Sequence, residues 1–345
     1  MPEATSMSDM LISTAPLQKA ATPMSARLTY SRQVVLVSAL LTAIALLFGL
    51  SAPAAADGTG YTFIGKQVYP ESLATDRHYV YATSLADGTV YRGKLSGSTL
   101  SPFLPGGANG RTTATGIKST GTRLLVAGAA TGRLYVYDAR SGARVATYTV
   151  PNAGQPTYLN DEIVTANGDV YVTDSLRPVI YRIPAAEVNA PATGAERTLR
   201  TAITLPTESY TAGYNANGIV ASPDGQTLLV VYYTSGALYR VDVQTGTTTQ
   251  VKLDRPLLNG DGLLLLGHTL YAARNFDNLI VTLRISSDLT TATTLAERTY
   301  SGADVPTSLA FSHGRLLILN SQFDTFIKHA PQTSQTFTIS SVPLY

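Results

Sequence analysis

Six polar residues recur at one position of a repeated segment. They are Glu71, Thr115, Asn160, Asn217, Asp261 and Thr307, and successive members lie 44, 45, 57, 44 and 46 residues apart. Two carboxylates and two carboxamides among them offer the oxygen atoms that a hard cation such as Ca²⁺ binds. Without a cation, two neighbouring carboxylates would repel each other, and one would bind a proton. The pattern therefore predicts a site for one divalent cation, with Ca²⁺ as the best match.

The elements around these residues are short strands. Runs rich in Val, Leu, Tyr and Thr, such as Val80–Thr83 and Leu124–Ala127, alternate with Gly, Asn and Asp turns. Repeats of about 45 residues with four short strands each are typical of propeller blades. The sequence thus predicts an all-β fold, a six-bladed β-propeller of four-stranded blades, with the six polar residues facing the mouth of its central channel. The 57-residue interval between Asn160 and Asn217 is the longest and contains residues 184–196, which we expect to form an exposed loop.

Each of these polar residues also has an ordinary structural explanation. Asn217 and Asp261 each precede a glycine and are compatible with plain turns, and Glu71 follows a proline and is compatible with a surface charge. Four oxygen-bearing residues at equivalent points of four repeats favour the metal site over these explanations. The set contains no Cys or His, which argues against zinc or copper.

Residues 1–56 differ from the rest of the chain. Arg27 and Arg32 precede an apolar run of 17 residues (34–50), and small residues ending in Ala-Ala-Ala56 follow it. This order is typical of a secretory signal peptide. An uncleaved membrane anchor is the alternative, since the run is at the short end of what spans a bilayer. Met1 and Met24 are both possible starts. We expect a secreted or extracytoplasmic protein with one domain, residues 57–345.

Composition excludes several classes of function. Residues 57–345 carry 22 Lys and Arg against 21 Asp and Glu, so the overall charge gives no reason to expect binding to nucleic acid or to an anionic membrane. The absence of cysteine excludes disulfides and thiol chemistry. We expect a monomer that binds a small molecule. It would associate with a membrane only if the leader, residues 1–56, is not cleaved.

Several segments resemble the senescence-marker-protein/gluconolactonase (regucalcin-like) propellers. The matching phrases are Tyr69-Pro-Glu-Ser-Leu-Ala74, Asn160-Asp-Glu-Ile-Val164, Asn167-Gly-Asp-Val-Tyr-Val-Thr-Asp174, Asn217-Gly-Ile-Val-Ala-Ser-Pro-Asp-Gly225, Asp261-Gly-Leu-Leu264 and Pro306-Thr-Ser-Leu-Ala-Phe311. The resemblance spans roughly residues 65–325. It implies one divalent cation on Glu71, Asn160, Asn217 and Asp261.

The resemblance also implies a reaction. The cation polarises a lactone or ester oxygen, and Asp261 is the catalytic residue that activates water or attacks directly. Family members that hydrolyse sugar lactones have an arginine two residues before the Asn160 position, where this chain has Tyr158. This departure favours an apolar or aromatic substrate. Thr115, Tyr158 and Arg274 are the expected substrate-binding residues, although pairing of Arg274 with Asp277 is the simpler alternative.

Three functional hypotheses follow. The first is an exported metal-dependent hydrolase of lactones or related esters. The second is a non-catalytic binding or scaffold propeller, since fold does not specify function. The third is a condensing enzyme similar to strictosidine synthase, which shares the phrase around Asn217 but relies on a glutamate with no counterpart here. The sequence contains neither a phosphate-binding glycine loop at a helix start nor a Gly-x-Ser-x-Gly nucleophile turn.

Overall fold

The structure is a computed structural model that describes residues 58–344. These residues belong to one compact unit. The predicted signal peptide or anchor lies outside the described residues. Within residues 58–344, no helix has the length and apolar character needed to cross a membrane.

Within residues 58–344, nearly all regular structure is β-sheet, as predicted, in 26 short strands. The first half of the chain forms β1 Gly58–Phe63, β2 Pro70–Thr75, β3 Tyr79–Ser84, β4 Val90–Lys94, β5 Thr99–Leu104, β6 Ile117–Ser119, β7 Arg123–Ala127, β8 Arg133–Asp138, β9 Arg144–Thr149, β10 Leu159–Val164, β11 Val170–Asp174, β12 Val179–Ile183, β13 Ala195–Thr198 and β14 Arg200–Thr204.

The second half continues in the same manner. It forms β15 Ala216–Ala221, β16 Thr227–Tyr232, β17 Leu238–Asp242, β18 Thr248–Gln250, β19 Lys252–Leu253, β20 Gly260–Leu266, β21 Thr269–Arg274, β22 Leu279–Ile285, β23 Thr291–Arg298, β24 Pro306–Ser312, β25 Arg315–Asn320 and β26 Thr338–Pro343. Two short helices, α1 Ala185–Val188 and α2 Phe323–Lys328, interrupt the strands.

The strands form sheets that are antiparallel except for three parallel pairs, β1–β5, β9–β13 and β19–β23. Four sheets have the orders β13-β9-β8-β7-β6, β10-β11-β12-β14, β15-β16-β17-β18 and β19-β23-β22-β21-β20. A fifth sheet joins the two ends of the described chain in the order β2-β3-β4-β5-β1-β26-β25-β24. In it, β1 pairs antiparallel with β26, so the first strand completes the sheet built by the last three.

The first strands of these groups form a closed ring. In order, β2, β6, β10, β15, β20 and β24 each contact the next, and β24 contacts β2. Buried apolar side chains fill the space between neighbouring sheets: Val136 and Leu125 of one sheet pack with Val170 and Val172 of the next. The core therefore lies between sheets, and polar side chains are left to line the axis of the ring.

The segment 184–196 differs from the expected exposed loop. It contains α1 and the first two residues of β13, and Val188 of the helix is buried in the core between two sheets. β13 then pairs parallel with β9 of the preceding sheet. Val188 is the only Val, Leu, Ile or aromatic residue among residues 184–196, so the apolar pattern was too weak to predict this packing.

Candidate functional site

The six repeated polar residues all lie at the same end of the ring. Five of them are the second residue of a ring strand, and Thr115 lies two residues before β6. All six are buried: Glu71, Thr115, Asn160, Asn217, Asp261 and Thr307. From the sequence we expect each of the six residues just before the first strand of its repeat, whereas five lie inside the strand. We call this end of the ring the site end.

In five ring strands the polar residue lies within a β-bulge or a similar irregularity of the strand pairing. The pairing register shifts between Pro70 and Leu73, and equivalent shifts occur in β10, β15, β20 and β24. A bulge leaves an extra residue unpaired and redirects its side chain. The bulges therefore allow polar side chains to leave the sheets and turn toward the axis.

Glycines allow the ring strands to approach each other closely. A Cβ atom on Gly218 would lie 2.1 Å from the carbonyl oxygen of Asp261, and one on Gly262 would lie 2.5 Å from that of Thr307. Neither distance is possible for a real side chain. This close approach narrows the ring at the level of the polar residues, so side chains from different strands come within reach of one another.

The carboxyl group of Asp261 is held by an amide. Asn275 donates from Nδ2 to Asp261 Oδ2 at 2.9 Å, and the neighbouring Asn217 amide also favours the ionised form and lowers the pKa of this carboxyl. Burial raises the pKa of Asp261 to about 8 despite both amides, and the negative charge of Asp161 adds to the increase. An aspartate in this state binds a proton at neutral pH unless a cation compensates its charge.

Glu71 lies close enough to Asp261 for their charges to interact. Burial raises the pKa of Glu71 well above its usual range, and the charges of Asp261 and Asp161 raise it further. The ammonium group of Lys118 opposes this increase. The structure thus brings together two carboxyl groups that are 190 positions apart in the sequence.

The two asparagines of the set lie beside polar groups. Asn160 donates from Nδ2 to Ser175 Oγ at 2.9 Å, and Asn217 lies close enough to Asp261 to lower the pKa of its carboxyl. The carbonyl oxygen Oδ1 of Asn217 is buried and has no hydrogen-bond partner among the described residues. Amide oxygens left free beside two carboxyls are the donor set that Ca²⁺ prefers, so the residues present fit such an ion.

The described residues contain no group of three or more His, Cys, Asp or Glu side chains arranged to bind a metal. A cation at the site end would therefore depend on the amide oxygens of Asn160 and Asn217 in addition to the two carboxylates. This dependence distinguishes the arrangement from the His and Cys sites that bind zinc.

The two threonines of the set differ in their bonding. The Thr115 hydroxyl donates to the carbonyl oxygen of Leu159 at 2.7 Å and so joins β10 to the segment before β6. The Thr307 hydroxyl is buried and has no partner among the described residues. Substrate binding by Thr115 stays a prediction, and its hydroxyl already has a structural role.

Tyr158 and Arg274, the other expected substrate-binding residues, have different surroundings. The rings of Tyr158 and Tyr214 meet edge to face with their centroids 4.8 Å apart. Burial, Tyr214 and the charges of Glu71 and Asp261 raise the pKa of Tyr158, so its ring lies beside the carboxyl groups.

Arg274 is engaged by acidic partners away from the six repeated residues. Its guanidinium lies 2.8 Å from Asp277 and 3.5 Å from Glu297, and its Nε donates to the carbonyl oxygen of Leu258 at 2.9 Å. This is the ion pair that the sequence left open as the simpler alternative. A substrate-binding role for Arg274 stays a prediction, and a ligand would have to compete with both acids.

A charged group that was not predicted from the sequence lies deeper in the ring. Lys118 Nζ lies 2.6 Å from Asp161 Oδ1. Next to them Glu162 is fully buried, neither of its carboxyl oxygens has a hydrogen-bond partner among the described residues, and burial raises its pKa well above its usual range. The run Asn160-Asp161-Glu162 inside a strand was a usable signal, because at the other five repeated positions the next two residues are serine or glycine followed by leucine or isoleucine, with no charge.

A cavity of about 270 Å³ lies beyond this charged group. All six ring strands contribute to its lining, which includes Leu73, Lys118, Asp161, Val220, Leu263 and Leu309. The ring therefore encloses a channel that is polar at the site end and mostly apolar beyond the Lys118–Asp161 pair.

Comparisons with known proteins identify the fold. No family model matches the sequence, and no curated protein sequence matches it. The β-propeller domain of Cps50 (Swd1) from Myceliophteria thermophila matches with a TM-score of 0.57 at 12% identity, covering 83% of this chain and 99% of that chain. The Malassezia sympodialis allergen Mala s 1 matches with a TM-score of 0.61 at 16% identity, covering 81% and 95%.

An enzyme of the same fold also matches. A catalytically inactive virginiamycin B lyase from Staphylococcus aureus, solved with quinupristin, has a TM-score of 0.55 at 13% identity and covers 84% of this chain and 98% of that chain. The chain is therefore a β-propeller, and its structural neighbours are of the gluconolactonase and virginiamycin B lyase type. Identities this low show the fold alone, and membership of the gluconolactonase family stays a prediction.

Proposed function

We propose that this protein is an exported, metal-dependent hydrolase of a lactone or related ester, built as a six-bladed propeller of four-stranded blades. The closed ring of six first strands supports the blade count, with β1 as the outer strand of the last blade. The observation that carries the function is the meeting of two carboxyls and two amides at the site end. The leader in residues 1–56 supports export.

Glu71, Asn160, Asn217 and Asp261 would hold the cation, with Ca²⁺ as the best fit to an all-oxygen donor set. Two carboxylates match its charge, and the unpartnered Asn217 oxygen gives it a neutral ligand. Asn275 and Ser175 orient two of the four ligands by hydrogen bonds. A bound divalent cation supplies electrophilic stabilisation of the charge that develops on an ester oxygen.

Asp261 is the residue best placed to handle the proton of the attacking water. It is buried, and Asn275 orients its carboxyl by a hydrogen bond. A bound cation would favour the ionised form of Asp261, which is the form that accepts a proton. Direct attack by its carboxylate is the other route, and in both routes Asn275 holds the carboxyl in one orientation.

The aromatic pair beside the carboxyl groups supports an apolar or aromatic substrate. Tyr158 and Tyr214 form a wall next to Glu71 and Asp261. A sugar acid would need hydrogen-bonding groups at the Tyr158 position, whereas a ring or alkyl chain would pack on these tyrosines. We therefore propose a lactone or ester with an apolar substituent.

Calorimetric titration with Ca²⁺ and a panel of alkyl and aryl lactones tests the function. We expect one tight site and Ca²⁺-dependent turnover, both lost in Asp261→Ala and both kept in Asp288→Ala, which removes an exposed acid from a turn. Binding without turnover in the wild-type protein would indicate a structural ion in a binding propeller. No Ca²⁺ binding, or unchanged turnover in Asp261→Ala, would contradict the proposal.

A further inference from the structure

A groove of about 530 Å³ lies on the face opposite the site end. Arg77 and His78 come from the hairpin between β2 and β3, and His313 comes from the hairpin between β24 and β25. Arg315, Ser312 and Ser341 complete the polar part of the lining. In each of these hairpins the turn lies at the far end of the strand from Glu71 or Thr307. We call this feature the basic groove.

The charges of the basic groove are not compensated by acidic side chains. Arg315 donates from Nε to Ser341 Oγ at 2.8 Å and from a terminal nitrogen to the Ser341 carbonyl oxygen at 2.7 Å, and both acceptors are neutral. Arg77 and His78 are exposed, and among residues 58–344 no carboxylate forms an ion pair with either arginine.

The acidic residue nearest to Arg77 in the sequence has other hydrogen-bond partners. Asp76 accepts hydrogen bonds from the backbone N–H groups of His78 and Tyr79 through Oδ1 and from the Tyr81 hydroxyl through Oδ2. Its carboxylate therefore shapes the hairpin and is not free to bind Arg77. Two guanidinium groups with free donors in one groove match the oxygen atoms of a phosphate group.

Exposed apolar side chains lie on the same face as the groove. Phe311 is 41% exposed near the end of β24 and lines the cavity inside the ring. Leu344 is 40% exposed and follows Pro343, which pairs with Arg315. Large exposed apolar residues next to a basic patch are typical of surfaces that enter the headgroup layer of a membrane. A site for a soluble anion would not need them.

The first described strand forms part of the groove. Gly58 of β1 pairs with Ser341 of β26, and Gly60 and Tyr61 line the groove. The groove is therefore built from β1 and β26 together with the two hairpins.

The geometry points to docking of this face on anionic phospholipid headgroups, with phosphate between Arg77 and Arg315 and with Phe311 and Leu344 in the interfacial layer. The site end then faces away from the bilayer and stays open to substrate. This inference does not depend on the proposed hydrolase activity. It also refines the expectation drawn from the overall charge, because folding concentrates basic residues from two distant segments at one place.

The chain contains no tryptophan, so a single introduced tryptophan reports its own surroundings. We would prepare Phe311→Trp in the exported form of the protein and record its emission with vesicles of phosphatidylcholine alone and of phosphatidylcholine with phosphatidylglycerol. Ile64→Trp is the matched control, because Ile64 is exposed and follows the opposite end of β1. We expect a blue shift for Phe311→Trp with the anionic vesicles only, and no shift for Ile64→Trp.

Charge reversal tests the groove itself. In the Phe311→Trp background, Arg77→Glu should weaken vesicle binding about 10-fold or more. Arg284→Glu makes the same charge change at an exposed arginine on β22 and should leave binding unchanged. Arg315→Gln is a second groove variant. The proposal would be overturned by equal emission shifts at positions 311 and 64, or by an emission shift that does not require anionic lipid. It would also be overturned if Arg77→Glu and Arg284→Glu weaken vesicle binding equally, or if micromolar inorganic phosphate displaces the protein from the vesicles.

Discussion

Asn275 follows β21 and donates a hydrogen bond from Nδ2 to Oδ2 of Asp261 on the neighbouring strand, at 2.9 Å. The oxygen Oδ1 of Asn275 in turn accepts a hydrogen bond from the Tyr233 hydroxyl at 3.1 Å. The chain Tyr233–Asn275–Asp261 therefore restricts the rotation of the carboxyl group that we propose as both ligand and catalytic residue. Such outer partners commonly tune metal affinity and activity.

Replacing Asn275 tests this restriction. We expect Asn275→Leu to lower Ca²⁺ affinity and turnover about 10- to 100-fold, because the Asp261 carboxyl loses its donor and can rotate. Calorimetry and lactone kinetics measure the two effects. Tyr233→Phe removes only the more distant hydroxyl and should cost less than Asn275→Leu. An equal loss in both variants, or none in Asn275→Leu, would contradict the positioning role.

Close packing of the ring strands predicts a stability effect at Gly218. An alanine Cβ there would lie 2.1 Å from the Asp261 carbonyl oxygen, so β15 and β20 must separate. We expect Gly218→Ala to lower the free energy of unfolding by about 1–3 kcal/mol or more. Gly154→Ala is the control, since no atom lies within 4 Å of its added Cβ. Denaturant titration should show a change only for Gly218→Ala.

The surroundings of Asp304 lead us to expect that the stability of the fold depends on pH. Burial and the nearby charge of Asp324 raise its pKa to about 6. Because the folded state holds this proton more tightly than the unfolded chain, stability falls as the pH rises from about 4 through 6. Asp304→Asn should therefore raise the melting temperature at pH 7.5 and change it little at pH 4.

Asp288 provides a comparison of opposite sign. The hydroxyl of Ser286 and both the hydroxyl and the backbone N–H of Thr290 hydrogen-bond the Asp288 carboxylate, which lowers the pKa of Asp288. Asp288→Asn should thus be neutral or destabilising at pH 7.5. If both asparagine variants shift the melting temperature in the same direction at pH 7.5, the environment assigned to Asp304 is wrong.

The tyrosine wall predicts selectivity among substrates. Removing the edge-to-face partner in Tyr214→Ala should raise KM for aryl lactones about 2- to 10-fold relative to small alkyl lactones, because an aromatic contact of this kind is lost. Tyr214→Phe keeps the ring and should preserve the preference. A parallel change for aryl and alkyl lactones would show that Tyr214 acts through the structure of the site end and not through contact with substrate.

The all-β class and the propeller fold could be predicted because both depend on local and periodic signals. Strand runs such as Val80–Thr83 and Leu124–Ala127 fall inside β3 and β7, as their β-branched and apolar residues indicate. The segment 184–196 could not be predicted in the same way. Its helix and its parallel pairing with β9 depend on one buried residue, Val188, and on a neighbouring sheet.

The spacing of the repeats was sufficient to select the six polar positions, since a residue that recurs at each repeat must occupy the same place in every unit. Whether their side chains reach each other depended on bulges and on glycine contacts between strands. The charged group of Lys118, Asp161 and Glu162 was not predicted, because its members meet only when β6 and β10 become neighbours. The basic groove likewise joins residues 77–78 with residues 313–315. Sequence periodicity thus determines the repeating units, and only their closure into a ring determines which charged side chains become neighbours. The reason is that electrostatic interactions depend on distances through space and not on separation along the chain.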